Sequence, residues 1–140
     1  MDNMSEIKEI NITRGLTIKV NDQGDTITLN VDDQRFIDRF YGLIETFDKS
    51  VKQINSKSAG YKSERDRLKQ LMEETRKIMN NIDELFGQGA CVKIFGDVVP
   101  SPVLLADFFD QMIPITRAYT NERQQVIERK YNRSRKGAHR

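Results

Sequence analysis

The chain has 140 residues, of which 37% are hydrophobic and 31% charged, with a net charge of +2 and one cysteine. That length suits a single domain, and a lone Cys91 excludes an intramolecular disulfide. The first 15 residues lack an apolar run, and no stretch approaches the ~20 apolar residues of a membrane helix, so neither a signal peptide nor membrane insertion is expected.

The charge is unevenly placed. Residues 129–140 hold six Lys/Arg and no acid, leaving the preceding 128 residues with 17 basic and 21 acidic side chains. A mildly acidic body therefore carries a basic end.

Residues 1–13 show no period and read as a flexible lead-in. In "GLTIKV" and "TITLNV" apolar and polar residues alternate, which places Leu16, Ile18 and Val20 on one face and Ile27, Leu29 and Val31 on the corresponding face of a second strand. "NDQGD" between them, with Gly24 free to take positive φ, makes residues 14–31 a β-hairpin. A lone hairpin is marginal in water, so its apolar face must pack on helices or on a neighbour.

Phe36, Phe40, Ile44, Phe47, Val51 and Ile54 recur every three or four residues behind a capping Asp32 or Asp33. That is one apolar stripe on a first helix. Gly42 within it suggests a close helix crossing. "NSKSAG" is a short turn, and a second helix follows from about Tyr61 to Phe86, packed from near Leu68 onward. So short a link predicts an antiparallel pair.

"LFGQGACVKIFGDVVPSP" then concentrates three glycines, the cysteine and two prolines. As a phosphate cradle it fails, because it lacks the glycine before Lys93 and the hydroxyl after it, and it follows a helix. As a nucleophile Cys91 lacks a partner, since the chain's one histidine is His139 in the basic end. One Cys and one His do not make a zinc cluster. No catalytic, cofactor-binding or metal residue is assigned, and an enzyme is not expected. Gly87, Gly89, Gly96, Pro100 and Pro102 read instead as a rigid structural corner between helices.

Ser101 before Pro102 is an N-cap and first-turn signature. The helix it opens carries Leu104, Leu105, Phe108, Phe109 and Met112, which suit either a core face or a surface for a client or a second copy. Pro114 is expected to kink or interrupt this helix. The whole is mainly α with a small N-terminal β-hairpin (α+β): one domain over residues 14–128, then a basic tail, 129–140, of disordered composition.

From about Leu85 to Tyr131 the chain resembles the tail assembly chaperones of long-tailed bacteriophages of Gram-positive hosts. The similarity rests on "LFGQGACVKIFGDVVPS", "LLADFFDQMIP" and the charged run ending "ERKYNRSRKG". The resemblance implies a non-enzymatic protein of the host cytoplasm. Its partners would be the phage tape-measure and tail-tube proteins. Self-association as a homo-oligomer is expected on other grounds, from the hairpin's two edges and the low apolar content. Two alternatives remain on composition: a nucleic-acid-binding accessory protein acting through the basic tail, and a small phage-encoded inhibitor or adaptor. The acidic body opposes nucleic acid, and the phenylalanines fall at helical spacing rather than as stacking platforms.

Overall fold

The computed structural model describes residues 6–12, 14–56 and 60–138, with side chains as far as Asn132. In chain order the elements are β1 (Leu16–Lys19), β2 (Thr26–Leu29), α1 (Gln34–Asn55), α2 (Glu64–Phe86), α3 (Ala90–Phe95) and α4 (Pro102–Ala138). The fold is thus mainly helical with an N-terminal two-stranded hairpin. Residues 6–12 form neither helix nor strand; the rest of the expected lead-in, and His139 of the tail, lie outside the described residues.

The hairpin pairs antiparallel, Leu16 with Leu29 and Lys19 with Thr26. Its turn is tied by one side chain: Asn21 Oδ1 accepts the amides of Gln23 (2.9 Å) and Asp25 (3.2 Å), and Asn21 Nδ2 donates to Asp25 Oδ2 at 2.7 Å. An Asx side chain mimicking backbone in this way fixes register without a tight two-residue turn. Ile27, Leu29 and Val31 are buried, so the hairpin covers its apolar face with helices of its own chain.

Asp33 caps α1, accepting the Arg35 amide at 3.0 Å. Phe36, Phe40, Leu43, Phe47 and Ile54 form its buried stripe. α2 begins at a Ser63 cap rather than at Tyr61, and its first buried residue is Thr75; Leu68 is exposed. The two helices run antiparallel: Phe36 meets Phe86 at 5.6 Å near one end, while Val51 and Ile54 share a small cleft with Leu71 and Thr75 near the other. Gly42 takes no part in a crossing. It is exposed, and nothing lies within 4 Å of where its Cβ would sit.

α4 closes the core with Leu105, Phe108, Phe109 and Met112. Ser101 Oγ accepts the Leu104 amide at 3.3 Å, and Pro102 is the first helical residue. All seven phenylalanines of the chain join one network of ring contacts that links every helix.

Of the kink or interruption expected at Pro114, the interruption does not occur, since α4 is continuous through that residue. Pro114 lies on the exposed side, so the Asp110 carbonyl that loses its amide partner is open to water. The tail from residue 129 is not irregular either: α4 continues to Ala138. Charge had suggested disorder, but Arg and Lys are good helix formers, and the tail extends a helix in which Gln124 bonds Glu128 at 3.4 Å just before it.

Candidate interaction surface

The corner between α2 and α4 is built from backbone geometry first. Gly87 ends α2 at φ 115°, ψ 153°, and Gly96 ends α3 at φ 84°, ψ −171°. Both conformations are essentially restricted to glycine. Gly89, at φ 81° and ψ 5°, sets the left-handed entry to α3. Pro100 is buried and Pro102 opens α4, which fixes the direction in which the chain leaves. These five residues all lie between the end of α2 and the start of α4.

Side chains then lock it. Asp83, which no motif in the sequence marks, accepts the Cys91 amide on Oδ1 at 2.9 Å, while its carbonyl accepts the Gly87 amide at 2.9 Å. Cys91 is buried and donates its thiol to the Met79 carbonyl at 3.4 Å. Burial, and then the Asp83 carboxylate beside it, push the thiol up to about 12. It is a neutral packing group at neutral pH, not an activated nucleophile. α3 is also tied to the hairpin, through Asn21 Nδ2 to the Lys93 carbonyl (3.0 Å) and Lys93 Nζ to the Thr26 carbonyl (3.3 Å).

So rigid a corner holds apolar side chains outward. Val92, Val98, Val99, Val103 and Leu104, all within one short stretch of chain, are exposed. None was singled out from the sequence except Leu104, because an apolar residue in a Gly/Pro-rich segment carries no period that says which way it faces.

The residues expected to offer a client or self-association surface are placed differently. Leu105, Phe108, Phe109 and Met112 are buried, and only Leu104, at 43% exposure, faces solvent. Phe109 packs on Phe47 at 5.4 Å, and Phe108 lies between Phe86 and Phe95 at 5.7 Å from each. The intramolecular helices already occupy the face that the periodicity left open. The edges of Phe108 and Met112 do reach a shallow groove of about 290 Å³, walled on one side by Ile18, Lys19 and Val20 of the hairpin and on the other by Leu104 and Ile115 of α4.

At the far end of the hairpin a polar latch joins three elements. Tyr119 donates to the Gly15 carbonyl (3.2 Å), Asp32 Oδ2 accepts the Gly15 amide (2.9 Å), and Arg123 reaches both Tyr119 Oη (2.6 Å) and Asp32 Oδ1 (3.5 Å).

Among the described residues no three His, Cys, Asp or Glu side chains are grouped so as to hold a metal ion, and no helix is long and apolar enough to cross a membrane. Comparison with curated proteins gave no match, and neither did comparison with solved structures. Residues 23–140 match the family of unknown function DUF6673, and the chain belongs to that family.

Proposed function

We propose that this protein is a non-enzymatic tail assembly chaperone of a long-tailed bacteriophage. It acts in the host cytoplasm, self-associates, and binds the tape-measure protein ahead of tail-tube assembly. The outward-facing aliphatic corner, Val92 to Leu104, supports this reading together with the sequence resemblance centred on the same stretch. A chaperone for a long helical client needs apolar side chains that remain presented when no client is bound. Glycine-restricted turns and the Asp83 and Ser101 caps keep this corner from collapsing inward. Amphipathic client helices offer the complementary apolar stripe.

Co-expression with the tape-measure protein encoded in the same genome tests the proposal. A soluble complex that is lost in a Val103→Asp/Leu104→Asp variant is expected. A tape-measure protein that is equally insoluble with and without this chain contradicts it.

A further inference from the structure

The most exposed large apolar side chains described are Ile7 (87%), Ile10 (81%) and Ile12 (76%), all on the arm that precedes the hairpin. No described residue of their own chain covers them. The arm's charges are Glu6, Lys8 and Glu9.

The hairpin offers a place for such a segment. Val20 donates its amide to the Asp25 carbonyl at 2.9 Å, which marks the even-numbered residues of β1 as those bonded to β2. In an antiparallel pair the intervening residues then turn their main-chain groups the other way. Thr17 and Lys19 therefore present N–H and C=O outward, and among the described residues β1 has no second neighbour in the two-stranded sheet. The outer edge of β2 is partly closed, because Lys93 Nζ bonds the Thr26 carbonyl there.

The apolar groove lies along this open edge. Neighbouring strand residues point to opposite faces, yet Ile18, Lys19 and Val20 all line it, so it follows the edge rather than the underside of the strand. Its floor and far wall include Phe108, Met112 and Ile115 of α4.

The arm does not lie on this edge in its own chain, since its isoleucines stay exposed. Gly15, just before β1, has both its amide and its carbonyl taken, by Asp32 and Tyr119.

We propose that residues 6–12 of one copy add as a third strand to the outer edge of β1 in a second copy. Ile10 and Ile12, two residues apart, share one side of an extended strand and enter the groove. Thr17 and Lys19 supply the main-chain hydrogen bonds, as in other strand additions. The charges agree: Glu9 of the arm finds Lys19 on the strand edge, and Lys8, which pairs with Glu6 at 3.0 Å within the exposed arm, exchanges that partner for Asp107 on the α4 wall. This assignment rests on the proposed self-association and needs no client.

Sedimentation velocity of the full chain across a range of concentrations tests it, with Ile10→Glu/Ile12→Glu on the arm and Ile115→Glu in the groove. The arm residues and Ile115 are not in the buried core, so thermal melting should confirm that both variants fold. The parent should self-associate, and each variant should weaken association about 100-fold, the loss expected on exposing two isoleucines or placing a charge against them. If the parent associates and the arm variant sediments with it, the copies meet elsewhere: this assignment fails while self-association stands. An effect of the arm variant without one of Ile115→Glu overturns the groove. A parent that stays monomeric throughout overturns both proposals of self-contact.

Discussion

Replacing Phe108 with alanine separates core from surface most sharply. The ring is 7% exposed and touches three others: Phe86 at 5.7 Å and 84°, Phe95 at 5.7 Å and 71°, and Phe109 at 5.5 Å and 55°. Two of these are edge-to-face contacts, and Phe86 in turn meets Phe36 and Phe40. The ring therefore joins α4 to α2, α3 and, through Phe86, α1. Deleting a buried phenylalanine costs about 3–5 kcal/mol in transfer and cavity terms. The value for Phe108→Ala should lie near 4 kcal/mol, because helices meeting on three sides limit collapse of the cavity. In a domain stable by roughly 5–15 kcal/mol that is a large fraction, and it corresponds to a fall in Tm on the order of 10 °C. Urea unfolding followed by far-UV circular dichroism measures it, with Leu104→Ala as the control. Leu104 is 43% exposed and should cost less than about 1 kcal/mol. If Phe108→Ala unfolds with the parent, α4 does not close the core and the client face belongs on Phe108 and Phe109 after all.

Two further outcomes follow from the corner. Gly96→Val should lower stability by about 1–3 kcal/mol through backbone strain, since apart from its chain neighbours nothing lies within 4 Å of the new Cβ; a variant that melts with the parent would show that Gly96 does not hold φ 84° in solution. The Cys91 thiol is raised from 9.0 to about 12, so the stability it contributes is complete below about pH 9 and is lost as pH climbs toward 12. Denaturation midpoints for the parent and Cys91→Ala, compared between pH 8 and pH 11, should converge at the alkaline end, and a constant gap would refute the shift. The native thiol should also resist aromatic disulfide reagents at pH 8.

Several elements were legible in the sequence for definite reasons. Strict alternation named the buried faces of both strands, since a period of two leaves no other arrangement once one face is covered. The spacing of Phe36, Phe40 and Phe47 named the α1 stripe, and Ser101-Pro102 named the start of α4. Periodicity failed where it was silent about partners. The broad face of α4 looked free because nothing in a linear pattern shows that α1 and α2 would fill it with Phe47 and Phe86. Gly42 was assigned to a crossing for its size alone, but it faces water. The helical tail is hard to read from sequence because its charge density is that of a disordered segment, while the helix propensity of Arg and Lys acts against it. Asp83 was invisible because its role depends on the tight turn that brings Cys91 back over the end of α2. The outward turn of Val98, Val99 and Val103, on which the candidate surface depends, follows from glycine dihedrals that composition permits but does not impose.

The central claim is that this corner holds an apolar client in solution. The most direct measurement is the soluble fraction of the tape-measure protein when it is co-expressed with the parent chain or with Val103→Asp/Leu104→Asp. Both positions are exposed, so the variant keeps the fold. The parent should keep most of the client soluble and co-elute with it, and the variant should lose at least about tenfold of that complex, the effect of a few kcal/mol of apolar contact replaced by charge. Equal recovery with both chains would remove the corner from the binding surface, and no recovery with either would contradict the chaperone function itself.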